Sequence, residues 1–215
     1  MKPGDIHKAI AILRTEVRQW AVPGIAHYAR SPFTVLISCL LSLRTKDATM
    51  IAASDRLFAV AFDPQTMLAI PAEDIEKLIY PVAFFRVKAK TIHEICHHLI
   101  DRFAGKVPAL LEDLLSLPGV GRKTANIVVT IAFAKKGIAV DTHVHRIFNR
   151  LGYVRTRTAD ETELALRRKL PERYWMVTND LLVAYGQNLC KPVSPFCSRC
   201  RIAEYCRQIE VKTSR

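Results

Sequence analysis

Four cysteines near the end of the chain have residue types and spacings suited to metal binding. Cys190, Cys197, Cys200 and Cys206 are separated by six, two and five residues. Four thiolates in one short segment are soft ligands that can hold a single metal centre. A tetrahedral zinc ion and a four-iron cluster both accept four cysteines, so the ligands alone leave the identity of the metal open.

A glycine turn upstream is the second segment suited to chemistry. Residues 117–125 read LPGVGRKTA and lie between two apolar helical patterns. Two glycines allow a tight turn whose bare backbone can approach another molecule closely. Its N–H groups lie next to a helix N-terminus, where they can bind a phosphate oxygen. A lone Gly-x-Gly is typical of an ordinary helix-to-helix turn, but here an amine, Lys123, follows directly and a carboxylate, Asp141, comes 18 positions later.

Three ordered motifs together resemble the endonuclease III family of DNA glycosylases. They are LPGVGRKTA, the segment VDTHVHR at residues 140–146, and the cysteine spacing. Members of that family have a helix-hairpin-helix motif, a Gly/Pro-rich loop that ends in aspartate, and an iron–sulfur cluster. The likeness extends from about Ser31 to Cys206. It implies that Lys123 is the nucleophile, that Asp141 assists it, and that the four cysteines hold a [4Fe–4S] cluster instead of zinc.

The chemistry of base removal explains why these residue types are needed. Cutting an N-glycosidic bond builds positive charge at the sugar C1′, which a nearby carboxylate stabilises. An amine attacks that carbon only in its neutral form, and the adjacent Arg122 with the positive end of the following helix favours that form. Two structural alternatives exist: Lys123 could be a solvated phosphate contact, and Asp141 could be a helix N-cap, a role compatible with catalysis.

The lysine also separates subfamilies. Related adenine glycosylases carry serine at this position and the G/T-mismatch thymine glycosylases typically carry tyrosine, so the resemblance implies a bifunctional enzyme that removes oxidised pyrimidines and nicks the strand. The substrate base must leave the duplex stack. The glycine turn, the Arg44 segment and the start of the helix after Asp141 together supply the expected DNA-binding residues. They are Arg44, Gly119, Val120, Gly121, Arg122, His143 and Arg146.

Two segments depart from the family pattern. Arg44 stands where glutamine is common, and it is expected to enter the duplex void or to contact phosphates. Ala83-Phe84-Phe85 replaces a more usual Gly-Phe-Tyr, so a hydroxyl is missing. Further basic residues are candidates for tracking the DNA backbone. They are Arg86, Lys88, Lys90, Arg146, Arg150, Lys191, Arg199 and Arg201.

The elements that must position these residues are short helices. Apolar residues recur near a 3.6-residue period throughout, separated by breakers such as Asp63-Pro64 and Pro118-Gly119. The expected helices cover 6–20, 32–43, 46–61, 72–80, 87–103, 109–116, 123–134, 142–151, 159–170 and 174–188. Residues 138–140 are interpreted as a loop because no partner strand is readable. The sequence therefore predicts an all-α fold.

The family likeness implies two helical lobes that flank a cleft. Residues 25–134 are expected to form a six-helix barrel lobe with the helix-hairpin-helix, and residues 1–24 with 135–215 a discontinuous iron–sulfur cluster lobe. Lys123 and Asp141 are expected to face each other across the cleft.

The composition favours a polyanionic partner. The net charge of +12 is compatible with nucleic-acid binding and also with an ordinary basic soluble protein, while the hydrophobic half of the residues predicts a packed core. The longest uncharged stretch has 13 residues, too short to span a bilayer. The N-terminal residues lack the pattern of a signal peptide. We expect a monomer with no membrane partner, located in the cytoplasm and, in a prokaryote, associated with the nucleoid.

Three functions are compatible with these observations. The leading hypothesis is a base-excision-repair DNA glycosylase and AP lyase acting on double-stranded DNA with a damaged base or an abasic site. The first alternative is a monofunctional mismatch or alkylated-base glycosylase on the same fold, which Lys123 disfavours. The second is a non-catalytic helix-hairpin-helix DNA-binding module with a structural metal, which the Lys123 and Asp141 pair disfavours.

Overall fold

The computed structural model describes residue 1 and residues 4–20, 28–29 and 31–215. All regular structure in these residues is helical, with no β-strand, so the predicted all-α fold is confirmed. The α-helices are α1 Asp5–Glu16, α2 Pro32–Ser42, α3 Asp47–Val60, α4 Pro64–Leu68, α5 Ala72–Ile79, α6 Phe85–Phe103, α7 Leu111–Leu115, α8 Arg122–Ile127, α9 Thr142–Arg150, α10 Ala159–Lys169 and α11 Trp175–Asn188. Across these same residues no helix combines the length and the apolar character needed to cross a membrane.

Short helical turns complete the secondary structure. Single 3-10 turns cover Val17–Gln19, Glu172–Tyr174, Cys197–Arg199 and Ala203–Tyr205, and a π-helical turn at Val128–Ala132 extends α8. Residues 138–140 form a loop, as predicted, and all three are buried.

The sequence pattern does not predict helix α4, because Asp63-Pro64 has the composition of a helix breaker. The pair instead starts a helix. The Asp63 Oδ1 accepts a hydrogen bond from the Thr66 N–H at 2.8 Å, and Pro64 occupies the first helical position. Proline is favourable there because the first N–H groups of a helix have no intrahelical acceptor.

The chain divides into two compact units, Gly24–Gly137 and a second made of Met1–Pro23 with Ile138–Arg215. The first lobe boundary expected from the sequence, at residues 24 and 25, lies outside the described residues. The second was expected after residue 134, and the division falls after Gly137.

The buried helix α2 is the centre of the unit Gly24–Gly137. Residues 33–41 are all buried, and α2 packs against α3, α6, α8 and the π-helical turn. A helix that is apolar on all sides must be surrounded by others. Ser31 begins it as N-cap, accepting a hydrogen bond from the Thr34 N–H at 3.1 Å, with Pro32 at the first helical position.

In the other unit, the apolar faces of α1, α9, α10 and α11 form one core. Its members include Ile10, Phe148, Leu166 and Tyr185, each at most 4% exposed. Three of the four clustered cysteines, Cys190, Cys200 and Cys206, pack against this core. The cysteine segment is therefore held by the core that also holds α9.

Candidate active site

The glycine turn connects α7 to α8. Gly119 has a φ of +70°, and a Cβ at this position would lie 2.9 Å from Cγ2 of Thr91 in α6. Leu117 and Val120 on either side are buried, and the Val120 N–H donates to the Leu117 carbonyl oxygen at 3.2 Å. The turn therefore requires glycine at position 119 both for its left-handed backbone and for its packing on α6.

Gly121 has a different role in the same turn. It is the N-cap of α8 with an extended backbone, it is exposed, and an added Cβ would meet no protein atom within 4 Å. The first turn of an α-helix presents N–H groups that find no acceptor within the helix. Here that turn begins beside an open glycine, so another molecule can approach the backbone from outside the protein.

Lys123 is the second residue of α8 and is half-buried, whereas residues 124–129 after it are buried. Its charge acts on Cys39 in α2: burial raises the pKa of the Cys39 thiol to about 12, and the positive charge of Lys123 opposes that rise. The amine is therefore close enough to the buried part of α2 to interact with it electrostatically.

Asp141 is the N-cap of α9. Its Oδ1 accepts hydrogen bonds from the N–H groups of His143 at 2.9 Å and Val144 at 3.0 Å. The carboxylate is only half-buried. The structural role foreseen for Asp141 is thus present, and its geometry fixes the carboxylate at the start of the helix.

His143 and Arg146 interact with each other in α9. The Arg146 Nη2 lies 3.0 Å from the His143 Nδ1 and donates to the carbonyl oxygens of Cys190 at 2.7 Å and Gly186 at 3.2 Å. A Cβ at Gly186 would collide with the His143 ring, so glycine makes room for the pair. Because the Arg146 guanidinium is engaged with the protein, its contact with DNA, like that of His143, stays a prediction.

Arg44 and Phe84 form an exposed stack in the unit Gly24–Gly137. Arg44 lies in the turn between α2 and α3, and its guanidinium carbon is 4.9 Å from the ring centroid of Phe84, the N-cap of α6. Both residues have left-handed backbones, with φ values of +56° and +57°. Phe84 is 57% exposed. Strained backbones of this kind are concentrated at functional sites.

Lys88 lies beneath this stack. It is 5% exposed, and its Nζ donates to the carbonyl oxygens of Leu41 at 2.9 Å and Leu43 at 2.7 Å and to the Thr45 Oγ1 at 3.4 Å. Burial lowers its pKa to about 8. The prediction that Lys88 tracks the DNA backbone is wrong, because its charge is directed into the protein.

The four clustered thiols interact through space. Burial raises the pKa of Cys200 and raises that of Cys206 to about 11, and the charges of Cys190 and Cys197 contribute to both rises. Three sulfur atoms receive hydrogen bonds: Cys200 from the Tyr185 hydroxyl at 3.2 Å, Cys190 from the Arg150 Nη1 at 3.4 Å, and Cys206 from the Gln208 N–H at 3.4 Å. Donors of this kind suit thiolate ligands of a cluster.

No group of three or more histidine, cysteine, aspartate or glutamate side chains in the described part of the chain is arranged to hold a metal ion. A tetrahedral zinc site brings all its sulfur atoms to about 2.3 Å from one point. A four-iron cluster binds each of its four thiolates at a different iron, so the four cysteines are suitable ligands for either group.

Arg150 braces the cysteine segment from α9. It is 9% exposed and donates to the carbonyl oxygens of Lys191 and Pro192, both at 2.7 Å. The prediction that Arg150 tracks the DNA backbone is wrong, because its charge is used inside the protein.

The periodicity of α6 and α9 could have identified both buried cations. Lys88 precedes Ile92 by four residues and Ile95 by seven, so it occupies the same helix face as these fully buried side chains. Arg150 follows Ile147 by three residues on the buried face of α9. A cation on an apolar face needs acceptors in the interior, which is a different signal from a surface charge.

Comparison with known proteins agrees with this fold. Residues 37–172 match the family described as the HhH-GPD superfamily base excision DNA repair protein. Endonuclease III of Thermotoga maritima is 48% identical over 180 residues, which cover 84% of each chain.

Two solved structures are also similar. A trapped covalent intermediate of endonuclease III with DNA superposes with a TM-score of 0.86 at 35% identity, covering 97% of each chain. A non-covalent endonuclease III–DNA complex gives a TM-score of 0.87 at 34% identity, covering 97% of this chain and 96% of the other. The chain belongs to the endonuclease III family.

Proposed function

We propose that this protein is a base-excision-repair enzyme, both a DNA glycosylase and an AP lyase. It acts on double-stranded DNA that carries a damaged base, best an oxidised pyrimidine, or an abasic site. The observation that carries the proposal is Lys123, which stands in the first turn of α8 directly after the glycine turn, in a chain of the endonuclease III family. Lysine at this position supports the bifunctional reaction.

Lys123 supplies the amine that replaces the base. Its neutral Nζ attacks the sugar C1′, the bond from C1′ to the base breaks, and the base leaves with the electron pair and takes up a proton. The amine then loses one proton, the bond from C1′ to O4′ breaks as O4′ takes up a proton, and a positively charged Schiff base remains between C1′ and Nζ. Its positive charge acidifies the hydrogen on C2′, so removal of that proton expels the 3′ phosphate. Water then releases the lysine.

Asp141 supplies negative charge for the positive sugar that develops during this reaction. Its carboxylate is held by two N–H donors at the start of α9, so it needs no reorientation when the charge appears. A preorganised charge of this kind contributes about 3–4 kcal/mol to the stability of a transition state.

Exposed backbone and side-chain groups of the unit Gly24–Gly137 make the proposed DNA contacts. The backbone N–H groups of the turn at 119–122 bind phosphate beside the open Gly121. Phe84 and Arg44 present an aromatic ring and a cation side by side, a surface suited to stacking on bases and to filling the space of an extruded nucleotide. Arginine in place of the family's usual glutamine adds a charge at that space.

Cys190, Cys197, Cys200 and Cys206 would hold a [4Fe–4S] cluster. When bound, the cluster supplies structural support to the segment 190–206, and the glycosylase reaction needs no redox step. The chain's own donors, Arg150 to Cys190 and Tyr185 to Cys200, orient the sulfur atoms.

We propose that the enzyme acts as a monomer, since one chain carries both the amine and the carboxylate, and that it has no membrane partner. Its substrate is the cell's own DNA, so in a prokaryote it works in the cytoplasm at the nucleoid.

Borohydride trapping on a duplex with an abasic site tests the proposal. Borohydride reduces the Schiff base to a stable amine, so wild-type protein should become covalently attached to the DNA. Lys123→Ala should give no adduct. Lys106→Ala, which removes an exposed lysine in the loop after α6, is the matched control and should be trapped like wild type.

The same samples distinguish the alternatives. Base release from a panel of oxidised, deaminated and mismatched duplexes without any adduct identifies a monofunctional glycosylase. Neither base release nor an adduct, from protein that still binds DNA, identifies a non-catalytic binding module. Either result refutes the bifunctional reaction.

A further inference from the structure

Two neighbouring turns hold exposed side chains in unfavourable backbone conformations. Arg44 and Phe84 both have left-handed φ values, which cost an ordinary L-residue about 1–2 kcal/mol each. Solvent-exposed side chains do not by themselves stabilise such turns. The structure must therefore contain interactions that hold them.

Lys88 provides these interactions from below. Its ammonium binds the carbonyl oxygens of Leu41 and Leu43 on one side of Arg44 and the hydroxyl of Thr45 on the other. That hydroxyl also accepts the N–H of Ala83, the residue before Phe84, at 3.2 Å. One cation and one hydroxyl thus connect the two turns.

We propose that Lys88 is a positioning residue that fixes Arg44 and Phe84 together for insertion into DNA. The inference rests on the proposed function, because it assumes that the stack enters the space of the extruded nucleotide. Lys88 itself does not touch the DNA.

The chemistry of the site explains why a lysine is needed. Helix α2 ends at Ser42, and the last carbonyl groups of a helix have no intrahelical donor and carry partial negative charge. An ammonium has three N–H donors and matches the three oxygen atoms around it. An apolar side chain of equal length would fill the space but would leave the carbonyl of the buried Leu41 without this donor, and the Leu43 carbonyl with only the Thr45 hydroxyl at 3.3 Å.

Fixing the turns before binding has a consequence for damage recognition. If the stack is ordered in the free protein, its ordering cost does not subtract from the affinity for damaged DNA. Undamaged duplex offers no empty space for the stack, so its affinity should not depend on Lys88. The predicted effect is therefore on the ratio of the two affinities.

The test measures the affinity of the full chain for an undamaged duplex and for a duplex with a tetrahydrofuran abasic-site analogue. Lys88→Met should reduce the preference for the analogue about tenfold and change the affinity for undamaged DNA less than about twofold. Thr45→Val, which removes only the bridging hydroxyl, should reduce the preference about threefold. Arg102→Met removes an exposed charge from the same helix and should leave the ratio unchanged.

Several results would overturn the inference. An unchanged ratio in folded Lys88→Met does so, and so does an equal loss of affinity for both duplexes, which would mean that the charge contacts DNA. If circular dichroism shows that Lys88→Met does not fold, Thr45→Val decides alone. Binding to the analogue needs no chemistry, so a wild-type protein that is not trapped by borohydride would refute the lyase reaction and leave this test valid.

Discussion

Asp141 combines two roles that a pair of substitutions can separate. Its Oδ1 caps α9 by accepting two N–H groups, and its negative charge is proposed to act in base removal. Asparagine retains an acceptor oxygen of the same geometry and caps helices about as well as aspartate, whereas alanine removes the cap. Asp141→Asn therefore removes only the charge, and Asp141→Ala removes charge and cap.

The expected magnitudes differ for stability and activity. Asp141→Asn should lower the free energy of unfolding by less than about 1 kcal/mol, the contribution of a charge at a helix N-terminus, and Asp141→Ala by up to about 2 kcal/mol. Both should slow base release by about 100- to 1000-fold, because both remove the charge that stabilises the transition state.

Urea denaturation and single-turnover release of thymine glycol from a duplex measure the two effects. Thr158→Ala is the control: Thr158 caps α10 through one hydrogen bond to the Glu161 N–H at 3.1 Å, so its loss should cost about 1 kcal/mol of stability and no activity. An Asp141→Asn protein with nearly normal activity would refute the electrostatic role and leave Asp141 as a cap alone.

Two further predictions concern the unit Gly24–Gly137. Burial lowers the pKa of Lys88 from 10.5 to about 8, so between these pH values the unfolded chain binds more protons and the folded protein becomes more stable as the pH rises. Relative to Lys88→Met, the wild-type free energy of unfolding in urea should therefore rise by up to about 3 kcal/mol from pH 7 to pH 10.5. A difference between the two proteins that does not change with pH would contradict this. Gly119→Ala should lower the free energy of unfolding, measured in urea, by about 2–3 kcal/mol, because of its φ of +70° and the contact of the new Cβ with Thr91 Cγ2. Adding Thr91→Ser should restore only the part of this loss that the contact causes. A full recovery of stability would exclude backbone strain.

The parts of the fold that local patterns determine were predictable from the sequence. Periodic apolar residues are enough to identify a helix such as α9 or α11, because burial of one face stabilises it. Helix α4 was missed because a proline after an aspartate either ends one helix or begins the next, and only the capping bonds at Asp63 distinguish the two. Likewise, a π-helical turn after Ile127 has no local signal in the apolar pattern.

The candidate site also contains residues whose placement could be predicted from the sequence and residues whose placement could not. Lys123 and Gly119 belong to one continuous motif, so their proximity to a turn and a helix start could be predicted. The left-handed backbones of Arg44 and Phe84 could not, because neither residue is glycine and the interactions that hold them come from Lys88, more than 40 positions away from Arg44 in the chain. Contacts between distant segments determine such conformations, and one sequence does not encode them as a local pattern.

Helix α2 connects the proposed nucleophile and the proposed inserting residues within the unit Gly24–Gly137. Leu40 lies 3.7 Å from the position of a Cβ at Gly119, and Cys39 responds to the charge of Lys123. Leu41 from the same helix binds Lys88. A buried helix, packed on all sides, has the least freedom to move, and small displacements of catalytic groups cost large factors in rate. Because the turn before Lys123 and the side chain of Lys88 both contact α2, a displacement of the Arg44–Phe84 stack would also change its position relative to the amine.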